Sequence, residues 1–171
     1  MRRDYEILFG SLSLGVHKYE FLLDDGFFKE YGTDLVEGGD VNVLLKVDKT
    51  NTHMDLEFVL KGSLKTVCDV CLSELVYPVN HSYYLHVKFA EESRLEEDEI
   101  LYLSFNEYKL DISAHLYDFT LLSLPMKRIC IDSVNRNSCD KQVLDKLEDT
   151  ENTDAQVHPE MEKLKGLFTK E

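Results

Sequence analysis

The chain has 171 residues, enough to bury one sizeable core, and 43% of them are apolar, with a mean hydropathy of −0.29. Its 19 Lys and Arg against 33 Asp and Glu leave a net charge of −14. That balance excludes a broad phosphate-binding surface, which needs clustered bases; it suits a basic partner, and it aids solubility.

The chain opens on Met1-Arg2-Arg3, but Asp4 and Glu6 follow at once, and Gly10, Ser11, Ser13 and Gly15 break the apolar stretch from Ile7 to Val16. That stretch is too short to span a membrane and no small-residue cleavage site follows it. The expectation is a cytoplasmic protein with no membrane partner. Tyr19, Phe21 and Leu23 then alternate with Lys18, Glu20 and Leu22, as in a strand. Asp24-Asp25-Gly26 opens a short helical segment carrying Phe27, Phe28 and Tyr31. After the turn signal Glu37-Gly38-Gly39-Asp40, Val41, Val43, Leu45 and Val47 recur at period two. Lys49 to Thr52 is the next turn, and Met54, Leu56, Phe58 and Leu60 alternate again on the way to Leu64 and Thr66. A third run holds Tyr83, Leu85, Val87 and Phe89.

Glu91 to Glu99 carries six acids and one Arg, which suits a solvated loop or an extended hairpin tip. Ile100 to Phe105 has strand character. Asp111 is placed to cap a helix through Ile112, His115, Leu116, Phe119, Leu122 and Ser123, which Pro125 ends. A short helix is expected over Lys141–Leu147, and Asp149 to Gln156 is acidic and without apolar period, as in a linker. Pro159 starts a last helix with Met161, Leu164, Leu167 and Phe168 on one face. The predicted fold class is α+β: an antiparallel β-rich sheet or partly open barrel in the first two-thirds, with short helices in the C-terminal third. Residues 1–148 form one domain, and 149–171 a flexible acidic linker and terminal helix.

All four cysteines are Cys68, Cys71, Cys130 and Cys139, the first two in the motif Cys68-Asp69-Val70-Cys71 at the end of a strand. Two cysteines spaced C-x-x-C in a tight turn put both sulfurs on one ion, and zinc takes four such ligands in a tetrahedron. The second pair, C-x8-C, is looser. A thioredoxin-like redox pair would need C-x-x-C at a helix start in a βαβ unit, where a helix N-terminus lowers the thiol pKa; the context here is strand hairpin. Four buried thiols with no joint role is the third reading. In a reducing compartment metal ligands or free thiols are favoured over disulfides. His81, His86 and His115 are of a ligating type, but a histidine on a half-buried element is more often packed or solvated than a ligand.

There is no phosphate-cradling glycine loop, no nucleophile elbow and no H-E-x-x-H. Nothing assembles a nucleophile, a base and an orienting group, so a non-enzymatic role is expected. Bases occur in small groups, Arg2-Arg3, Lys127-Arg128 and Lys163, Lys165 and Lys170. If the four sulfurs meet, Lys127 and Arg128 lie beside them and are the candidate partner-binding residues.

In combination these features resemble the YceD (DUF177) family, the large ribosomal RNA subunit accumulation proteins. The matching residues are Val67-Cys68-Asp69-Val70-Cys71-Leu72 after a β-rich half, the helix from Asp111-Ile112 to Leu122-Ser123-Leu124-Pro125, Cys139, and His158-Pro159 with Lys163-Leu164-Lys165. Members often carry His at the position of Cys130. A place that alternates between His and Cys fits a metal ligand, so the resemblance implies a structural zinc held by Cys68, Cys71, Cys130 and Cys139. The family often has Arg where this chain has Val70, and Arg where it has Glu160; both changes remove positive charge. The resemblance implies a role in accumulation of large-subunit ribosomal RNA, with that RNA or a pre-ribosomal particle as partner. A basic ribosomal protein held by the acidic surface is a second partner. Two other readings stay open, an acidic protein-binding adaptor and a C-x-x-C thiol oxidoreductase.

Overall fold

The computed structural model describes residues 5–31, 35–91, 94–97, 100–134 and 139–153, the segments 94–97 and 148–153 as backbone alone. In chain order the strands are β1 (Glu6–Ile7), β2 (Gly15–Leu23), β3 (Gly38–Lys49), β4 (His53–Val67), β5 (Glu74–Ala90), β6 (Arg94–Glu97), β7 (Ile100–Ser104) and β8 (Leu110–Asp111). The helices are α1 (Asp25–Tyr31), α2 (Ser113–Leu122) and α3 (Lys141–Thr153).

One six-stranded sheet, in the order β2-β3-β4-β5-β7-β6, carries the fold, and β1 and β8 form a separate two-stranded ribbon. β2 to β5 are an antiparallel meander. β7 then pairs parallel with β5, from His86↔Ile100 to Ala90↔Ser104, and β6 pairs antiparallel with the far side of β7. The sheet is open, so of the two predicted forms it takes the sheet and not the barrel. Its parallel pairing was not legible in a sequence read for hairpins.

Alternation along the strands decides which face is buried. On β3, Val41, Val43, Leu45 and Val47 are buried, and across from them on β4 so are Met54, Leu56, Phe58 and Leu60. Side chains at period two share a face, so this face carries the core. Helices α1 and α2 cover it. Phe27 and Phe28 of α1 are buried in it. Phe119 of α2 stacks on Tyr83 at 4.8 Å and meets Phe58 edge-on at 5.1 Å. The helices also meet each other, through Tyr31 and Tyr117 stacked at 4.5 Å. Gly39 lets α1 sit close, because a Cβ there would lie 2.8 Å from the Ser63 carbonyl oxygen and 3.2 Å from the Phe28 ring; its N–H donates to Asp25 Oδ1 at 2.9 Å.

Three details depart from the expected elements. β5 starts at Glu74, well before the Tyr83–Phe89 run that marks it in the sequence. Pro78 hides its first half, since proline is excluded from central strands; here β7 pairs only with His86–Ala90, so Pro78 has β4 on one side and, among the described residues, no strand on the other. At α2, Asp111 lies one residue before the cap position, Ile112, and its Oδ1 accepts from the Ser113 N–H at 2.8 Å. Helix α3 runs on through Thr153, past the expected end at Leu147 and into the stretch taken for a linker. Its start is fixed by Asp140, whose Oδ1 accepts from the Gln142 N–H at 2.9 Å; once nucleated, each added residue gains a hydrogen bond for one residue ordered. The helix expected from Pro159 lies outside the described residues.

Replacing Phe58 by Ala should destabilise the domain by about 3–5 kcal/mol, because its ring is fully buried between the sheet and α2. Tyr84→Ala on the opposite, exposed face should stay within about 0.5 kcal/mol of wild type. Urea titration of the two variants checks the assignment of faces.

Candidate metal centre

The loop between β4 and β5 is the C-x-x-C turn. Its backbone is closed by the Cys68 N–H donating to the Ser73 carbonyl at 2.8 Å and the Leu72 N–H donating to the Cys68 carbonyl at 2.9 Å. Leu72 takes φ +58° to make the turn. That left-handed conformation costs an L-residue roughly 1–2 kcal/mol, and the Leu72 side chain points into solvent, 76% exposed. Something else must hold the turn in this shape.

The second arm arrives after Pro125. A 3-10 turn over Cys130–Asp132 presents Cys130, and Cys139 lies just ahead of α3. The Val134 N–H donates to the Val76 carbonyl at 2.8 Å, so this arm lies along the stretch of β5 that β7 leaves unpaired. The four sulfurs converge, all within 4.8 Å of one another. Cys71 Sγ is 3.4 Å from Cys130 Sγ, and Cys68 Sγ is 3.8 Å from Cys139 Sγ. All four thiols are free, and Cys68, Cys71 and Cys130 are buried. They form a small apolar cluster of their own with Leu75, flanked by Val70 and Val143. The donor set fits a soft ion. With metal–sulfur bonds of about 2.3 Å, a regular tetrahedron has sulfur–sulfur edges of about 3.8 Å, inside the span seen here.

The electrostatics divide the four thiols. The Ser73 hydroxyl beside Cys71, with the N–H groups of Asp140 and Ser73, lowers its pKa to about 6. Burial pushes the Cys68 thiol up, but the N–H groups of Cys71 and Val70 outweigh it and the net shift is downward. Burial raises Cys130 and Cys139, for Cys130 with the neighbouring Cys71 and Cys68 acting in the same direction. Four sulfurs this close cannot all ionise by themselves, because like charges oppose one another. A divalent cation removes that obstacle, and binding it releases the remaining protons.

A second clamp joins the same two arms. Arg128 forms a close ion pair with Asp69, inside the C-x-x-C. Its backbone N–H donates to Asp69 Oδ2 at 2.7 Å, and the Asp69 N–H donates back to the Arg128 carbonyl at 2.9 Å. The guanidinium also donates to Thr66 Oγ1 at 2.8 Å and to the Leu35 carbonyl at 3.1 Å. The Arg128 side chain, whose hydrogen bond does most to hold the Asp69 pKa below its usual value, is only 14% exposed. Of the two predicted partner-binding residues, Arg128 is therefore engaged within the protein, while Lys127 is exposed beside the fully exposed Met126. The signal for this clamp was opposite charges placed within two residues of a cysteine in each arm, Asp69 after Cys68 and Arg128 before Cys130. His81 and His86 lie on β5 and His115 on α2. The metal-type cluster found among the described residues consists of the four cysteines alone.

The family profile for the large ribosomal RNA subunit accumulation protein YceD matches residues 56–168, from within β4 onward. The chain belongs to the YceD family. No curated protein matches the chain, and no solved structure does. The matched region of this YceD-family chain contains both cysteine arms and the clamp between them. No helix among the described residues is long and apolar enough to cross a membrane.

Arg128→Lys keeps the charge but loses the planar fork that reaches Asp69, Thr66 and Leu35 together. The variant should melt several degrees below wild type, whereas Lys127→Ala should melt with it; differential scanning calorimetry separates the two.

Proposed function

We propose that this protein is a non-enzymatic factor that supports accumulation of large-subunit ribosomal RNA, acting in the cytoplasm, with zinc closing its four-cysteine site. Membership of the YceD family over residues 56–168 carries the reading. The four-sulfur cluster supports the structural half of it. Cysteine-only sites with four protein ligands are closed, with no open position for a substrate, and such zinc sites stabilise folds without reacting. Cys68, Cys71, Cys130 and Cys139 would be the ligands, and the ion would supply the cross-link between the β4–β5 turn and the arm after Pro125.

The thiol-oxidoreductase alternative loses support from the geometry. Redox C-x-x-C pairs sit at a helix N-terminus, whereas Cys68 and Cys71 sit in a strand-to-strand turn beside two further thiols. The net charge of −14 favours association through a basic protein or through a few local contacts over a broad RNA interface. The exposed Lys127 beside the sulfur site is such a local contact.

Two measurements test this reading. Purified wild-type protein should carry about one zinc per chain by elemental analysis, and Cys68→Ser should lose it and melt at lower temperature; a metal-free protein that the variant matches in stability contradicts the zinc assignment. Affinity capture of the tagged protein, with and without ribonuclease, should recover large-subunit ribosomal RNA. Ribosomal proteins that are lost after ribonuclease place the protein on the RNA-containing particle, and one basic ribosomal protein that persists identifies the direct partner. Capture of neither contradicts the proposed role.

A further inference from the structure

Strand β5 is held at both ends of its outer side and open between them. Its register with β4 is unbroken from His53↔Lys88 to Val67↔Glu74. On the other side β7 takes His86 to Ala90, and the arm after Pro125 takes the Val76 carbonyl, through the Val134 N–H at 2.8 Å. From Val76 to His86 the strand runs about 33 Å. The Val76 carbonyl points outward, and so does that of Ala90, which accepts from the Phe105 N–H at 3.2 Å. Backbone groups alternate sides along a strand, so those of Pro78, Asn80 and Ser82 point outward as well. Among the described residues these groups have no backbone partner. Pro78 agrees with this placement: the N–H it lacks would face the gap, and no bond to β4 is lost.

We propose that an extended segment of a basic protein enters this gap as an added strand, bonded to the outward groups of Pro78, Asn80 and Ser82. The inference rests on the reading that a basic protein is the direct partner, and it names how that partner binds. An open stretch of sheet edge is a template for an incoming strand. A strand of the usual five or six residues spans about 17–20 Å and fits between the arm and β7. Two features select a basic one. Four acids in a row, Glu96 to Glu99, lead into β7 at one end of the gap. Along the open stretch, on the core face, His81 and Tyr83 stack at 6.3 Å, and Tyr83 stacks on Phe119 at 4.8 Å. His81 is exposed and Tyr83 half-buried, so an aromatic shelf borders the gap. A Lys or Arg at alternate positions of the incoming strand would lie over that shelf. Lys61, the exposed base across from Asn80 on β4, is on the opposite face.

The test uses the purified full chain and, as probe, the RNA-free proteins released from large ribosomal subunits by high salt. The immobilised wild type should retain one of them, which is then titrated by calorimetry against wild type and two variants. Ser82→Ala keeps every main-chain group and should bind like wild type. Ser82→Pro removes an outward N–H and sets a ring in the path of the added strand while keeping the bonds to β4, and should bind about tenfold or more weakly. Hydrogen exchange of the wild type, read amide by amide, needs no variant: binding should slow Asn80 and Ser82 and leave His81 and Tyr83, which face β4, unchanged. A retained protein that binds all three forms equally, or that leaves exchange at Asn80 and Ser82 unchanged, overturns the gap as the site and leaves the basic-partner reading standing. Retention of no protein overturns both. Slowing of the same amides as the chain alone is concentrated assigns the gap to a second copy and also overturns the proposal.

Discussion

The described residues after Pro125 are joined to the sheet where two chain segments distant in sequence cross at the β4–β5 turn. The crossing has two parts, the four-sulfur cluster and the Arg128–Asp69 clamp. Each is needed because the local apolar packing is small. The main core gathers the buried faces of β2 to β5 with α1 and α2, while the sulfur cluster adds only Leu75 as a buried aliphatic side chain. A handful of apolar groups does not offset the ordering of a long connection. Directed bonds must do so, and both the left-handed Leu72 and the buried thiols make sense as parts of a turn held by such bonds.

This division sets what the sequence revealed. The β2–β5 meander, apart from the first half of β5, was legible because its side chains alternate and its turns carry Gly, Asn or Asp. The meeting of Cys68 and Cys71 with Cys130 and Cys139 was legible from residue type, since these are all the cysteines in the chain. Pairings without a local signature were not legible. β1 with β8 joins residues about a hundred apart through two residues each, and the parallel β5–β7 pairing leaves no hairpin turn to mark it. The internal bonds of Arg128 were not legible for a related reason. A Lys-Arg pair in sequence suggests an exposed basic spot, yet the guanidinium turns inward to three acceptors on two other segments, leaving Lys127 alone at the surface.

The arrangement also bears on the kind of partner that the proposed role admits. Its charge of −14 works against wide contact with phosphates, so in the proposed role association would come from a compact, shaped surface or from a basic protein. The sulfur-site end is compact and shaped, and it presents Leu72, Met126 and Lys127 to solvent on the two arms that the cluster joins. Family membership covers this end and leaves β2 and β3 outside the matched residues. The N-terminal strands thus supply scaffold and sheet edge, while the matched region holds the cross-linked end.

The most direct test of the account is hydrogen exchange of the intact protein before and after treatment with a zinc chelator. The account predicts that amides of the β4–β5 turn and of residues 128–134 lose protection together when the metal is removed, while the amides of β3 and β4 that line the core stay protected. Unchanged exchange at the turn after chelation would contradict a metal-held junction.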